Sequence, residues 1–120
     1  MILRTLVLLL NLFFLIPHSH ARLCGVVSLK GLDKTTGRVH DLQIPVGETM
    51  RFGTLDITPH YCTQSPDEVI PETIVFLEIK ETKGTVPHLL FSSWMFASNP
   101  GVSALEHPVY DVWVEPRRLY

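Results

Sequence analysis

The last third of the chain carries the side chains that could perform catalysis. Ser103, His107 and Asp111 follow one another closely, and a serine nucleophile, a histidine base and an orienting carboxylate make up the triad of many hydrolases. The surrounding segment GVSAL lacks the second glycine of the G-x-S-x-G turn that exposes such a serine. A small domain also offers little to hold an oxyanion. We therefore predict no catalytic residues and no enzymatic activity.

The same segment predicts a structural role for Glu106. Ser103-Ala104-Leu105-Glu106 matches the capping box S-x-x-E, in which the serine and glutamate side chains satisfy backbone N–H groups at a helix start. Pro108 disfavours helical geometry at His107. We therefore predict one short helical turn near residues 103–107.

Histidine and cysteine supply the candidate metal ligands. His60 and Cys62 are two residues apart, which places them on one face of a strand, and His40, His88 or His107 could add a third ligand. The chain lacks a paired C-x-x-C or H-E-x-x-H motif, and a cysteine in a disulfide cannot bind a metal. We predict no metal and no cofactor. The alternative is a small-ligand or metal-binding domain that uses His60 and His107.

Aromatic side chains form the candidate contact surface. Aromatic rings usually build the core of a small domain. Both faces of the segment HLLFSSWMF are apolar, however, so one ring can lie exposed, where Trp and Tyr anchor partners. The predicted contact residues are Trp94, Met95, Phe96 and Tyr110, with His107 and Asp111 at the rim.

Residues 1–21 have the pattern of a secretory signal peptide. Arg4 gives a positive start, residues 6–16 are almost entirely apolar, and Ser19 and Ala21 are small residues before the cleavage point. The apolar run is shorter than the roughly 18–20 residues that a membrane span needs. We predict export, cleavage after Ala21 and no membrane insertion afterwards. An uncleaved anchor in the inner membrane is the alternative.

Charge excludes one class of partner for the exported part. The chain has 10 basic and 12 acidic residues and no cluster of Lys or Arg. Binding to nucleic acid or to anionic lipid rests on such clusters. We therefore expect the exported part not to bind nucleic acid. The length of residues 22–120 suffices for one modest core, so we expect these residues to form a single domain.

The exported domain is predicted to be all-β. Short apolar or alternating runs are separated by turn residues, and no long segment has the helical period. About seven short strands favour an antiparallel sandwich or barrel. The predicted strands cover residues 26–32, 38–46, 49–52, 54–61, 73–80, 88–96 and 109–114.

Several side-chain placements follow from these strands. Residues 73–80 are expected to form a central strand that is buried on both faces. Residues 59–71 are rich in proline and predict a surface loop. Residues 99–102 fit a type II turn with Gly101 at its third position. The side chains predicted to face inward together in the fourth strand are Leu55, Ile57, Pro59 and Tyr61.

Several long segments of the chain resemble a known family. The segments are GLDKTTGRV, PVGETMRFGTLDI, FLEI and FSSWMFASNPGVSALEHPVYDVWV. They resemble the exported alphaproteobacterial proteins of domain of unknown function family 2155, from about Leu29 to Val114. The resemblance implies a periplasmic domain without an established activity, and it supplies no catalytic residues. We therefore predict a periplasmic interaction or assembly module whose partner is an envelope protein.

The cysteines depart from the pattern of this family. The resemblance includes Cys62, but it implies a second cysteine after the last strand, where this chain has Arg117. Cys24 is the other cysteine of the exported part, and thiols in an oxidising compartment usually pair. We therefore predict a Cys24–Cys62 disulfide.

Overall fold

The computed structural model describes residues 22–66 and 72–116, which form eight strands in two antiparallel sheets. The strands are β1 (Arg22–Leu23), β2 (Val26–Asp33), β3 (Arg38–Pro45), β4 (Met50–Phe52), β5 (Leu55–Gln64), β6 (Thr73–Lys83), β7 (Val86–Phe96) and β8 (Tyr110–Val114). The predicted all-β class is confirmed, and two facing sheets make the fold a sandwich. The predicted signal peptide and Arg117 lie outside the described residues.

The larger sheet has five strands. Its order is β1-β5-β6-β7, and β4 pairs with β5 on the same side as β1, so that β7 forms the opposite edge. The smaller sheet has the order β3-β2-β8. Both sheets are antiparallel throughout. Within residues 22–66 and 72–116 there is no helix that is long and apolar enough to cross a membrane.

The core lies between the two sheets and follows the two-residue period of the strands. In β6 the side chains of Val75, Leu77 and Ile79 are buried, and the residues between them face outward and are half-buried. The expectation of burial on both faces of this strand is wrong, because the smaller sheet covers only one face. Other large core residues include Val27, Leu29, Ile44, Leu55, Ile57 and Val114.

A β-bulge in β5 changes which residues face the core. The register shifts between Pro59 and Tyr61, so that His60 and Tyr61 both lie opposite Phe76. The predicted inward orientation of Tyr61 is wrong: its side chain is exposed and Cys62 is buried instead. The strand also continues to Gln64, so the prediction of a loop from residue 59 is wrong for its first part.

A second register shift, between Ile79 and Lys80, affects β7. Ile79 pairs with Phe91 and Lys80 with Leu89, which leaves Leu90 as the extra residue. Leu90 packs against the core and Leu89 is exposed. The two-residue alternation of inward and outward side chains is therefore interrupted at this end of β7.

The segment between β7 and β8 has no helical turn. The prediction of a helical turn near residues 103–107 is wrong, because long-range contacts hold this segment in an irregular conformation: Leu105 is buried and the His107 side chain bonds to β6. Val102 N–H donates to Asn99 O at 3.2 Å, which confirms a turn there. It is not of type II, because Gly101 does not have a positive φ.

The predicted disulfide between Cys24 and Cys62 is present. The two Cα atoms are 5.2 Å apart, a spacing typical of disulfides. Cys24 N–H also donates to Cys62 O at 3.0 Å. The bridge joins the connection between β1 and β2 to the buried end of β5, and so links the start of the smaller sheet to the larger one.

Candidate functional site

A row of aromatic side chains crosses the outer face of the larger sheet. Phe76 of β6 pairs with Trp94 of β7 on one side and with Tyr61 of β5 on the other. The β5 bulge adds His60 to the same row. Trp94 is 40% exposed and Tyr61 is 44% exposed, although large aromatic side chains gain most from burial.

The rings of this row pack edge to face. The centroids of Trp94 and Phe76 are 5.1 Å apart at 80°, and those of Trp94 and Tyr61 are 5.7 Å apart at 85°. Edge-to-face pairs of this kind stabilise one another. The Trp94 plane therefore stands across the planes of its two neighbours, and the surface is ridged instead of flat.

A second apolar row runs beside the first. Phe96 of β7 pairs with Ile74 of β6, which pairs with Thr63 of β5, and Leu23 of β1 pairs with Thr63. Leu23 is strongly exposed, and Phe96 and Ile74 are half-buried. We call the surface formed by the two rows the aromatic face; its residues are Tyr61, Phe76, Trp94, Ile74, Phe96 and Leu23.

The other half of this outer face is charged. Glu78 Oε2 lies 2.9 Å from His60 Nε2, and Glu78 Oε1 lies 3.1 Å from Lys80 Nζ. The hydrogen bonds from His60 and Lys80 lower the pKa of the Glu78 carboxyl. The aromatic face therefore ends at a polar border next to His60.

A cleft at Glu81 is the second candidate site. The cleft has a volume of about 430 Å³, and its lining residues include Thr54, Glu81, His107 and Tyr110. The side chains of Glu81 and His107 are each 9% exposed. A nearly buried carboxylate beside an imidazole is an arrangement that catalytic sites use.

The hydrogen bonds of this pair are all made within the protein. His107 Nδ1 accepts from the N–H groups of Val109 and Tyr110, at 3.0 and 3.2 Å. His107 Nε2 must then carry the proton, and it donates to Glu81 Oε2 at 2.9 Å. The same oxygen accepts from Thr54 Oγ1 at 2.5 Å.

These contacts indicate a structural role for the Glu81–His107 pair. The hydrogen bond from Thr54 is the main cause of a lowered pKa at Glu81, which burial opposes and His107 supports. His107 has no lone pair left to take a proton from a substrate, because both ring nitrogens are engaged. The pair instead fastens the segment before β8 onto β6.

The structure divides the predicted contact residues into separate groups. Trp94 and Phe96 lie on the aromatic face, while Met95 is 2% exposed and points into the core. Tyr110 packs against Phe52 and His107 at the Glu81 cleft.

Asp111 belongs to neither group of rings. Its carboxylate lies 3.3 Å from Lys34 Nζ. The His107 ring bonds to Glu81 and to backbone N–H groups, and Lys34 Nζ donates to the His107 carbonyl oxygen. Ser103, His107 and Asp111 are therefore not joined as a triad.

The two histidines of the metal alternative do not meet. His60 bonds to Glu78 on the outer face of β6, and His107 bonds to Glu81 on its inner face. Across residues 22–66 and 72–116, no three His, Cys, Asp or Glu side chains come together as a metal site.

Tyr61, Phe76 and Glu81 were not among the predicted site residues. Glu81 could have been found from the sequence. It continues the alternation of Val75, Leu77 and Ile79, so an acidic side chain was to be expected on the buried face of this strand. Tyr61 carried a weaker signal: Pro59 lies two residues before it, and proline inside a sheet favours a bulge or an edge position.

Comparisons with known proteins agree with the earlier resemblance. Residues 27–116 match the family model described as "Uncharacterized protein conserved in bacteria (DUF2155)". An uncharacterized protein of Rickettsia prowazekii is 31% identical over 85 residues, which cover 70% of this chain and 55% of the relative. The chain thus spans about half the length of that relative. No solved structure matches. The chain belongs to the DUF2155 family of bacterial proteins.

Proposed function

We propose that this protein is a non-enzymatic interaction module of the bacterial envelope, and that it binds a protein partner through the aromatic face. The observation that carries the proposal is the exposure of Trp94 and Tyr61 in one continuous row across three strands. Trp and Tyr dominate the binding energy of protein interfaces when a partner covers them. Contiguous apolar surface of this kind marks such interfaces.

Ring geometry favours a protein over a flat ligand. The Trp94 plane stands at 80° to Phe76 and at 85° to Tyr61. A flat ligand cannot stack on all three rings at once, whereas the side chains of a protein can fill the grooves between perpendicular rings. The polar border at His60 and Glu78 resembles the rim that surrounds the apolar centre of an interface.

The hydrogen bonds of the His107 ring support a non-enzymatic function. A general base needs a free acceptor within reach of the substrate. Both ring nitrogens of His107 are used within the protein, and Glu81 Oε2 already accepts from Thr54 and His107.

The Cys24–Cys62 disulfide supports a periplasmic location. Disulfides persist in oxidising compartments and are rare in the cytosol. The signal pattern of residues 1–21 points to the same destination. We expect osmotic shock to release the protein with both thiols oxidised; recovery from the cytosol with reduced thiols would contradict this location.

The binding surface can be tested by quantitative capture. The wild-type protein and the variants Trp94→Ala and Val39→Ala are immobilised, and retained envelope proteins are quantified by mass spectrometry. Val39 is an exposed apolar residue of the smaller sheet and serves as the control. We expect Trp94→Ala to reduce retention of the specific partner about tenfold or more, and Val39→Ala to retain it. Equal retention by Trp94→Ala would refute the proposal.

A further inference from the structure

The β7 edge differs from the other sheet edges in having no charged side chain. Natural proteins commonly protect sheet edges with charged residues, which discourage pairing with another strand. The other edge strands of the described sheets each contain a charge: Arg22 in β1, Arg51 in β4, Asp41 in β3 and Asp111 in β8. β7 has 11 residues and contains no Asp, Glu, Lys or Arg.

The backbone of β7 presents unpaired groups at this edge. Ala97 N–H donates to Thr73 O at 3.0 Å, which directs the backbone groups of Ala97 toward β6. Successive residues of an edge strand alternate in direction, so the N–H and C=O groups of Ser92 and Trp94 point away from β6. No described residue hydrogen-bonds to these groups, and both residues are exposed.

The stretch of β7 with unpaired backbone groups is limited at both ends. Asn99 N–H donates to Phe96 O at 3.3 Å. The register shift that leaves Leu90 unpaired interrupts the strand at the other end. The regular part of the edge is therefore residues 91–96, and Trp94 lies in this part while also belonging to the aromatic face.

We propose that β7 receives an extended segment of the partner protein as an additional antiparallel or parallel strand of the larger sheet. This inference rests on the proposed function and specifies how the partner binds. An extended peptide has the two-residue spacing of donors and acceptors that the backbone of Ser92 and Trp94 requires. Its side chains facing the same way as Trp94 should be apolar, because they continue the row of Tyr61, Phe76 and Trp94.

A partner segment fits this edge better than a second copy of the chain does. A second copy would pair through its own β7, which is already part of its own sheet. The two larger sheets would then form one continuous sheet. The aromatic face would stay uncovered in that assembly. A flexible segment can pair with β7 and then cross the exposed rings of Trp94 and Tyr61.

The test uses the protein purified from envelopes of cells that express the full chain. The first probe is a phage-displayed random dodecapeptide library, and the second is a synthetic peptide of the enriched sequence. We expect enriched peptides with alternating apolar residues. We also expect the peptide to slow hydrogen exchange at the N–H groups of Ser92 and Trp94. Failure to enrich any peptide would count against strand addition.

Backbone variants separate strand addition from contact with the aromatic face. Ser92→Pro removes an N–H that points out of the sheet, where proline is tolerated, and Ser92→Ala keeps it. We expect Ser92→Pro to weaken peptide binding about tenfold and Ser92→Ala to bind like the wild type. If Trp94→Ala weakens binding and Ser92→Pro does not, strand addition is wrong and the proposed function stands. If Trp94→Ala has no effect, the proposed function itself fails.

Two further outcomes are informative. Two peptides can be compared, one N-methylated at its odd-numbered residues and one at its even-numbered residues. Only the peptide whose methylated nitrogens face away from β7 should bind, and this comparison tests the pairing without changing the protein. Equal binding of both peptides would overturn strand addition. A dimer that Ser92→Pro abolishes and Ser92→Ala retains would identify a second copy as the occupant, and would overturn the choice of a partner segment.

Discussion

At the scale of single residues, β6 provides an internal comparison between two Glu–His pairs. Glu81–His107 and Glu78–His60 both have an oxygen–nitrogen distance of 2.9 Å. The side chains of the first pair are each 9% exposed, whereas His60 is 46% exposed. Only the Glu81–His107 pair is nearly buried, and it joins the segment before β8 to β6. We therefore infer that this pair stabilises the fold.

The first prediction concerns the stability that each pair supplies. Glu81→Ala should lower the free energy of unfolding by about 2–3 kcal/mol, because it leaves the buried Nε2–H of His107 without an acceptor. Glu78→Ala, its matched control on the outer face, should cost less than about 1 kcal/mol. Urea denaturation of both variants measures the difference. Equal losses of unfolding free energy in the two variants would show that the Glu81–His107 pair stabilises the fold no more than the exposed Glu78–His60 pair does.

The second prediction concerns acid sensitivity. The lowered pKa of Glu81 means that the unfolded chain, whose carboxyl titrates near 4.5, binds the proton more readily than the folded protein does. The stability due to this group is present above pH 4.5 and is lost as the pH falls through the folded pKa. The difference in unfolding free energy between wild type and Glu81→Gln should therefore shrink on acidification. A difference independent of pH from 7 to about 3 would contradict this linkage.

At the scale of elements, alternation predicts most strands but not their irregularities. The strands from residue 26 onward were predictable because apolar residues recur every second position between turn residues. The bulge at His60 was predictable only in part: Pro59 favours a bulge inside a strand, but the exact position of the extra residue depends on its neighbours in the sheet. The irregular conformation of residues 103–107 was not predictable from local rules: a single helical turn is weakly stable, and contacts of Leu105 and His107 outweigh its capping signal.

The third prediction compares two hairpins. Gly53-Thr54 and Gly84-Thr85 are two-residue loops whose glycines have φ of 59° and 67°. A Cβ at Gly53 would overlap the ring and hydroxyl of Tyr110, and one at Gly84 would meet no atom within 4 Å. Gly84→Ala should cost about 1–2 kcal/mol from the backbone alone. Gly53→Ala should cost at least about 1 kcal/mol more, because the Tyr110 ring must move. Thermal unfolding of both variants tests this, and equal losses would show that Tyr110 moves freely.

At the scale of the whole molecule, the disulfide and the sandwich together form a small scaffold for one exposed surface. Cys24–Cys62 joins the start of the smaller sheet to β5, the strand that carries Tyr61. The pairing was predictable because the chain has two cysteines and both follow the predicted signal peptide. The aromatic face was predictable only for Trp94 and Phe96, since Tyr61 and Phe76 join it through strand pairing.

The fourth prediction concerns this scaffold. Replacing both cysteines, as Cys24→Ser and Cys62→Ser together, should lower the free energy of unfolding by about 3–4 kcal/mol, because the bridge closes a long loop in the unfolded chain. A reducing agent should destabilise the wild type to the same extent and leave the double variant unchanged. Insensitivity of the wild type to reduction would show that the bridge contributes little.

The most direct test of a partner-binding aromatic face is photo-crosslinking in living cells. A photoreactive phenylalanine analogue replaces Tyr61 on the aromatic face, or Val39 on the smaller sheet as the control. We predict one discrete crosslinked envelope protein from position 61 and none from position 39, and we predict that Trp94→Ala diminishes the product. Absence of a discrete product at position 61, or the same product from both positions, would contradict this prediction.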